Sequence, residues 1–194
     1  SGGPSSVYDE DAPPFDASWL DLKVPVLGIC YGMQLLARSF GGVVGKAERR
    51  EYGPADLDVL TAEGLFQGVG KSTPVWMSHG DHVETVPEGW RVLARTVNCP
   101  VTAMCDSSGL RLGIQFHPEV THTEQGVEML RNFVLGITKA TTNWSMGSFV
   151  ERQVAEIRNL VGDGHVICGL SGGVDSSVAA ALIHRAIGKQ LHCI

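Results

Sequence analysis

The sequence lacks any long apolar run. Its hydrophobic stretches, such as residues 24–30, are far shorter than the roughly 20 apolar residues of a membrane helix. Residues 1–4 also lack the basic start and apolar core of a secretory leader. We therefore expect no membrane association. Because the chain begins on a turn sequence, we expect it to be a piece of a longer protein.

Basic residues are in the minority. The chain has 15 Lys and Arg against 21 Asp and Glu, which gives a formal net charge of −6. A nucleic-acid surface needs clustered positive charge, so we expect no nucleic-acid partner. A small basic cluster, Lys46, Arg49 and Arg50, is interpreted as a solvated or phosphate-facing loop.

Cysteine pairs of the CxxC type are absent. The chain has five cysteines, an odd number, at positions 30, 99, 105, 168 and 193. This pattern disfavours a disulfide framework and a structural zinc site, and it is typical of a reducing compartment. We expect a cytoplasmic protein with no resident metal ion and no bound organic cofactor.

The patterns that are present favour an α/β fold. Residues 24–29 predict a buried strand, and residues 33–40 predict a helix that ends at Gly41 and Gly42. A β-rich region follows, and after it residues 123–137 predict an amphipathic helix, with five residues available for burial: Val127, Met129, Leu130, Phe133 and Val134. Five strands are predicted in the β-rich region: 56–61, 74–77, 91–96, 101–105 and 112–116.

The character of the sequence changes after residue 138. Residues 139–148 form a polar connector, so we predict one domain over 1–138 and a second over 139–194. In the second domain we predict helices over 149–161 and 178–187, strands over 165–170 and 191–194, and a glycine-rich turn over 171–177. Because parallel strands need complete crossover units, we expect this second domain to be truncated.

A thiol stands between two glycines in the sequence Gly28-Ile29-Cys30-Tyr31-Gly32. The predicted strand ends and the predicted helix begins at this point, as in the elbow that presents a hydrolase nucleophile. A helix N-terminus stabilises negative charge, so we expect a lowered pKa for Cys30. The alternative is that Cys30 is a small core residue.

A histidine and a carboxylate follow the last predicted strand of this domain, at His117 and Glu119. Residues two apart on an extended chain share a side, and Pro118 stiffens the backbone between them. A histidine can accept a proton from a thiol, and a carboxylate can orient that histidine. Taken alone, such a pair is better explained as a solvated surface pair. His79, His82 and His122 match no common metal-ligand pattern, and the first two are interpreted as loop residues.

Taken together, GICYGMQ and HPE resemble the class I glutamine amidotransferases. The resemblance implies a flavodoxin-like open sheet, with Cys30 as nucleophile, His117 as base and Glu119 as its orienting partner. It also implies that the amides of Gly3 and Tyr31 face a developing oxyanion. By the same resemblance, five residues would hold the glutamine substrate: Ser5, Gln34, Ser78, His79 and Gly80.

A second motif, SGGVDSS, lies between a predicted strand and a predicted helix. Glycine-rich backbone and a helix N-terminus together suit an anion, although a plain turn with Asp175 as helix cap is the alternative. The heptad resembles the pyrophosphate loop of the ATP pyrophosphatases, within an adenine-nucleotide α-hydrolase-like domain. That resemblance implies that ATP, as its Mg²⁺ complex, is bound by Ser171, Gly172, Gly173, Val174, Asp175, Ser176 and Ser177.

The order of the two motifs resembles the GMP synthetase family, as do four segments, residues 50–53, 76–81, 117–123 and 184–189. This implies glutamine, ATP and xanthosine monophosphate (XMP) as substrates, and a homodimer for the complete protein. The alternatives are another amidotransferase fusion, such as a glutamine-dependent NAD synthetase, and a catalytically silent binding module. We expect the 194-residue chain alone to make no GMP and to have weak glutaminase activity.

Overall fold

A computed structural model of the chain describes residues 1–3, 6–142 and 145–194, without the side chains of residues 48 and 49. Contacts between Cα atoms divide the chain into two compact units, Ser1–Ala140 and Thr141–Ile194. Each unit combines helices with a sheet, which confirms the predicted α/β class. Among the described residues no helix is long and apolar enough to cross a membrane.

The first unit is built on a six-stranded open sheet with the order β1-β6-β5-β4-β2-β3. Its strands are β1 (Val26–Ile29), β2 (Val43–Val59), β3 (Ser72–Thr85), β4 (Arg91–Arg95), β5 (Ala103–Cys105) and β6 (Arg111–Ile114). β1 and β6 are parallel, with Ile29 opposite Ile114, and the other neighbouring pairs are antiparallel. Because β1 and β6 end at the same edge of the sheet, the residues that follow them lie side by side.

Two strands, β2 and β3, are much longer than predicted. They pair from Val43–Thr85 to Asp58–Ser72, with a register shift between Lys46 and Glu51. The sequence prediction ended these strands at glycines and at Pro54. In the described residues, β2 pairs with β4 only at Asp58 and Val59, so β4 does not reach the part of β2 that contains Pro54. Proline costs no ladder hydrogen bond on such a free side.

This hairpin corrects two interpretations made from the sequence. Lys46 and Arg50 lie on β2 and not in a loop. His79 and His82 lie on β3, where His79 is buried, and are likewise not loop residues. The side chain of Arg49 is outside the described part of the structure.

Two helices complete the first unit. α1 (Tyr31–Ser39) packs its apolar face against the sheet in one buried cluster that includes Met33 and Leu36. α2 (Gly126–Arg131) continues as a π-helical segment, Asn132–Ile137. Short 3₁₀ turns at Ala17–Asp21 and Gly64–Phe66 lie in the connections.

The predicted buried sides of these helices are partly wrong. Met129 of α2 is fully buried, but Val127 and Val134 are exposed, contrary to the prediction. The helical periodicity located both helices correctly. It could not show which part of each helix surface the neighbouring elements would bury.

The second unit contains α3 (Met146–Val161), β7 (Val166–Cys168), α4 (Val174–Ile187), a 3₁₀ turn (Gly188–Gln190) and β8 (Leu191–Cys193). β7 and β8 are parallel, as a strand–helix–strand crossover requires. α4 begins at Val174 and not at residue 178 as predicted. The hydroxyls of Ser176 and Ser177 both donate to the Gly173 carbonyl, so these serines fit within the first helical turn.

Candidate active site

Cys30 forms a sharp elbow between β1 and α1. Its amide donates to the Ile114 carbonyl at 2.7 Å, which ties the residue to β6. Its backbone has φ 51° and ψ −108°, a conformation that costs free energy for a residue with a side chain and is concentrated at functional sites. The close approach of strand and helix depends on Gly28, since a Cβ atom there would lie 2.5 Å from the Gly32 carbonyl oxygen.

The thiol of Cys30 is buried, with 3% of the residue exposed. Its Sγ donates to the Ser78 carbonyl at 3.5 Å and accepts from Gln115 Nε2 at 3.6 Å. Burial raises the pKa of the Cys30 thiol, and hydrogen bonds from the Tyr31 and Gln115 amides only partly oppose it. The expectation of a lowered pKa is therefore wrong for this structure, because the desolvation of the sulfur outweighs these hydrogen bonds.

His117 and Glu119 are paired as the sequence predicts. The Nδ1 atom of His117 lies 2.7 Å from Glu119 Oε1. The backbone of His117 is fixed separately, because its amide donates to the Trp76 carbonyl at 3.0 Å and its carbonyl accepts from the Thr123 hydroxyl at 2.6 Å. With Nδ1 occupied by the carboxylate, Nε2 is the nitrogen available for proton transfer.

Gly2 lies next to both the imidazole and the cysteine. A Cβ atom on Gly2 would be 2.8 Å from His117 Cε1, 3.4 Å from His117 Nε2 and 3.6 Å from Cys30 Cβ. Both side chains also line one cavity of about 610 Å³. The structure therefore brings Cys30, His117 and Glu119 together at the carboxyl ends of β1 and β6, where open α/β sheets bind their ligands.

The same cavity collects most of the predicted glutamine-binding and oxyanion residues. Its lining includes Gly3, Gln34, Ser78, His79 and Gly80. Gln34 is buried, and its Nε2 donates to the Asp81 carbonyl at 2.8 Å and to Gln115 Oε1 at 3.3 Å.

The two predicted oxyanion residues are neighbours. A Cβ atom on Gly3 would lie 3.8 Å from Cγ of the buried Tyr31 ring. Ser5, the remaining predicted glutamine-binding residue, lies outside the described residues.

His79 is held from both ring nitrogens. Its Nε2 lies 3.2 Å from Glu51 Oε2 and its Nδ1 lies 3.0 Å from the Asp81 carbonyl. Burial lowers the pKa of His79, while the Glu51 carboxylate acts in the opposite direction. Cys99 completes a group of three side chains that could bind a metal ion. The potential ligand atoms of Glu51, His79 and Cys99 all lie within 4.8 Å of one another. The sequence pattern around His79 does not point to Cys99, because Cys99 is distant along the chain.

Several cavity residues were not identified from the sequence. Lys46, Arg50, Tyr52 and Asp81 line the cavity from the long hairpin. Gln115 is fully buried and contacts the sulfur of Cys30. A signal for Gln115 was available, because it stands two residues before His117 and so shares a side with it on extended chain.

The second unit presents the SGGVDSS motif at the start of α4. Gly173 is the N-cap and has no side chain to occupy the free amides of the first turn. Gly172 has φ 78°, which glycine tolerates. Ser171 and Ser176 exchange a hydrogen bond of 3.1 Å between their hydroxyls, and Asp175 lies in the first helical turn and not at the N-cap. Free amides at a helix N-terminus suit an anion such as phosphate.

Comparisons with known proteins match both segments of the chain to protein families. Residues 1–137 match the family model "Glutamine amidotransferase class-I", and residues 145–194 match the model "NAD synthase". Proteins named "GMP synthase [glutamine-hydrolyzing]" are 53% identical over 194 residues in Brachyspira hyodysenteriae and 51% identical over 193 residues in Aquifex aeolicus. Each alignment covers 100% of this chain and 38% of the relative, so the chain spans well under half of those proteins.

Solved structures show the same fold. A protein from Thermoplasma acidophilum, described as one subunit of a GMP synthase, matches with a TM-score of 0.60 and 33% identity, over 70% of this chain and 63% of that one. A glutamine amidotransferase from Thermotoga maritima has a TM-score of 0.50 and 20% identity, over 89% of this chain and 66% of that one, a likeness of fold alone. With a family model matched over residues 1–137 of 194, the chain belongs to the class-I glutamine amidotransferase family.

Proposed function

We propose that residues 1–138 form a glutaminase site in which Cys30 is the nucleophile, His117 the general base and Glu119 its orienting partner. One observation carries the proposal. Cys30 and His117 both lie next to Gly2 and line one cavity, and Glu119 Oε1 lies 2.7 Å from His117 Nδ1. A nucleophile, a base and an orienting acid in this order are the requirement for acyl transfer.

The reaction begins with a proton transfer. Because burial raises the pKa of Cys30, the resting sulfur holds its proton at neutral pH. His117 Nε2 accepts that proton, and the Glu119 carboxylate stabilises the imidazolium that results. The thiolate then attacks the side-chain amide carbon of glutamine, and its electron pair forms the new S–C bond.

Attack on the amide gives a tetrahedral oxyanion. The amides of Gly3 and Tyr31 are the proposed donors to it, and losing one such donor lowers kcat by roughly 10²–10³ at comparable sites. His117 returns its proton to the departing nitrogen, which leaves as ammonia, and a γ-glutamyl thioester remains on Cys30. Water activated by His117 then releases glutamate.

We propose that residues 139–194 begin an ATP-pyrophosphatase domain of a GMP synthase. The support is the SGGVDSS loop at the N-terminus of α4, the match to the NAD synthase model and the names of the relatives. In this proposal the loop binds the pyrophosphate portion of the Mg·ATP substrate, and XMP is adenylated at its 2-oxygen. Ammonia then displaces AMP and yields GMP. A cytoplasmic homodimer is proposed for the complete protein.

The match to the NAD synthase model keeps a second candidate, a glutamine-dependent NAD synthetase. The two functions differ in the nucleotide that accepts ammonia. Supplying the full-length protein with glutamine and ATP, together with XMP or with the deamido-NAD precursor, separates them. The GMP synthase proposal predicts an aminated product with XMP and none with the deamido-NAD precursor.

The glutaminase is tested separately, by glutamate release from the 194-residue chain. We expect weak release above the uncatalysed rate, abolished in Cys30→Ser and strongly reduced in His117→Asn. Cys193→Ser is the matched control, because that cysteine is exposed in the other unit. Equal release from Cys30→Ser and the unaltered chain would refute the proposed site. No GMP is expected from the 194-residue chain with ATP and XMP.

A further inference from the structure

The sulfur of Cys30 has contacts that suit two protonation states. Its contact with the Ser78 carbonyl at 3.5 Å requires a thiol, because a carbonyl only accepts a hydrogen bond. Its contact with Gln115 Nε2 at 3.6 Å has the opposite polarity, with the amide donating to the sulfur. Loss of the proton therefore weakens the first contact and strengthens the second.

The amide of Gln115 is held in the orientation that this requires. Gln34 Nε2 uses its two hydrogens on the Asp81 carbonyl, at 2.8 Å, and on Gln115 Oε1, at 3.3 Å. With Oε1 facing Gln34, the NH₂ group of Gln115 faces the sulfur. A flipped amide would set Nε2 against the Gln34 donor and Oε1 against the thiolate, so both contacts would be repulsive.

Burial makes this contact strong. Gln115 is fully buried and its backbone amide donates to the Thr102 carbonyl at 2.8 Å, so the side chain starts from a fixed point. Hydrogen bonds to a charged acceptor are about twice as strong as neutral ones, and a water-excluded site increases the difference. We propose that Gln115 is a further catalytic residue, which stabilises the Cys30 thiolate through its Nε2 amide, and that Gln34 is the positioning residue for that amide.

This inference rests on the proposed role of Cys30 as nucleophile. Because Gln115 stabilises the thiolate, His117 takes the proton from a thiol with a lower pKa than it would have without this contact. Desolvation pushes the pKa of Cys30 upward, and the Gln115 contact is one of the influences that lower it. A neutral amide lowers the free-energy cost of the thiolate without adding a charge to the site.

The test measures the titration of Cys30 directly. The rate of alkylation by iodoacetamide is followed from pH 6 to 10 on the peptide that contains Cys30, by mass spectrometry. The thiolate is the reacting form, so the pH profile reports the pKa of this thiol. The variants are Gln115→Met, which keeps the length and removes the donor, and Gln115→Glu, which places a like charge by the sulfur. Gln67→Met, on an exposed glutamine of the same unit, is the matched control.

We expect Gln115→Met to lower the alkylation rate at pH 7.5 about tenfold, the equivalent of one pKa unit. Gln115→Glu should lower it further, and Gln67→Met should leave it unchanged. Peptides with Cys168 and Cys193 serve as internal references within each sample. An unchanged Cys30 profile in both Gln115 variants, with far-UV circular dichroism equal to that of the unaltered chain, overturns the inference.

A second measurement needs no change at Gln115, whose burial makes some variants prone to misfolding. In ¹⁵N–¹H spectra the side-chain NH₂ signals of Gln115 should shift with pH. The midpoint of this shift should equal the pKa of Cys30 that alkylation gives. Cys30→Ser should abolish that shift. A Gln115 signal that does not move with pH in the unaltered chain overturns the inference.

The thiolate contact and the glutaminase function can fail separately, because neither the alkylation profile nor the NMR shift depends on glutamine. A chain that releases no glutamate but shows the Gln115-dependent pKa retains the thiolate contact and loses the glutaminase function. A chain that releases glutamate with no change of the Cys30 profile in either Gln115 variant retains the function and loses the role of Gln115.

Discussion

The backbone amide of Cys30 donates a hydrogen bond of 2.7 Å to the carbonyl of Ile114. This bond extends the parallel ladder of β1 and β6 one residue beyond β1, so the nucleophile candidate is fixed to the strand that leads to His117. Register between parallel strands is set by buried side chains on the sheet faces, and a shift of one residue would reverse those faces. The relative position of Cys30 and His117 is thus a property of the sheet and not of flexible loops.

Gly2 leaves room for the imidazole, so Gly2→Ala should impair the reaction. Its new Cβ would lie 2.8 Å from His117 Cε1, and the ring would have to move away from Cys30 and strain its bond to Glu119. We expect kcat for glutamine hydrolysis to fall at least tenfold, because small displacements at a reacting centre cost about that much or more. Thermal unfolding should be nearly unchanged, since Gly2 is exposed. Full activity in Gly2→Ala would show that His117 does not act from this position.

Gly126 at the start of α2 packs against the loop that carries His117. A Cβ atom on Gly126 would overlap the backbone carbonyl of Pro118, between His117 and Glu119. Gly126→Ala should destabilise the chain by about 1–3 kcal/mol, the usual cost of overpacking, and should also lower glutaminase activity.

The control for this change is Gly136→Ala. Gly136 lies in the π-helical continuation of α2 and has no neighbour within 4 Å of an added Cβ. We expect its stability to change by less than about 1 kcal/mol. Denaturant unfolding checks both variants. Equal stability of the two would contradict the packing described for Pro118.

In the proposed site Glu119 orients the imidazole, so Glu119→Gln should act on kcat more than on KM. A glutamine side chain cannot offset the charge of the imidazolium, although it occupies the same volume. We expect kcat to fall roughly 100-fold, within the range for general acid–base catalysis, with KM changed less than about threefold. Glu124→Gln, on an exposed glutamate of the same segment, is the matched control. A change confined to KM would assign Glu119 to substrate binding.

Cys99 predicts a dependence of stability on pH. Burial raises the pKa of this thiol to about 11, from an ordinary value of 9.0. Between these two values the folded state keeps a proton that the unfolded state loses, so the free energy of unfolding falls as pH rises from about 9 to 11. The loss amounts to about 2–3 kcal/mol over this window.

Denaturant unfolding of Cys99→Ala between pH 8 and 11 checks this expectation. The variant should be less stable at pH 8, where it lacks a packed side chain, and should lose less stability than the unaltered chain as pH rises. Cys193→Ala, at an exposed position, controls for the loss of any cysteine. Parallel pH curves for Cys99→Ala and the unaltered chain would contradict the assigned titration.

The sequence predicted those features that depend on short patterns. The strand, elbow and helix around Cys30 follow from two glycines beside a buried run, and the His117–Glu119 pair follows from a spacing of two residues. The length of the β2–β3 hairpin could not be predicted, because it depends on pairing between residues that are far apart along the chain. The group of Glu51, His79 and Cys99 was missed for the same reason.

The raised pKa of Cys30 shows a further limit of local patterns. The position of the thiol at a helix N-terminus was visible in the sequence and favours a thiolate. The burial of the sulfur comes from neighbours that folding assembles, including Ser78 and Gln115, and it has the larger effect. Local sequence therefore pointed to Cys30 as the nucleophile of the proposed site, and tertiary structure raises the pKa of its thiol.

The most direct test of the account is covalent labelling with a glutamine-like chloroketone, mapped by peptide mass spectrometry on the full chain. We predict one label, on Cys30, with a rate that free glutamine reduces and that His117→Asn lowers at least tenfold. Labelling spread equally over Cys30, Cys168 and Cys193, or a rate on Cys30 indifferent to both glutamine and His117, would contradict the proposed site.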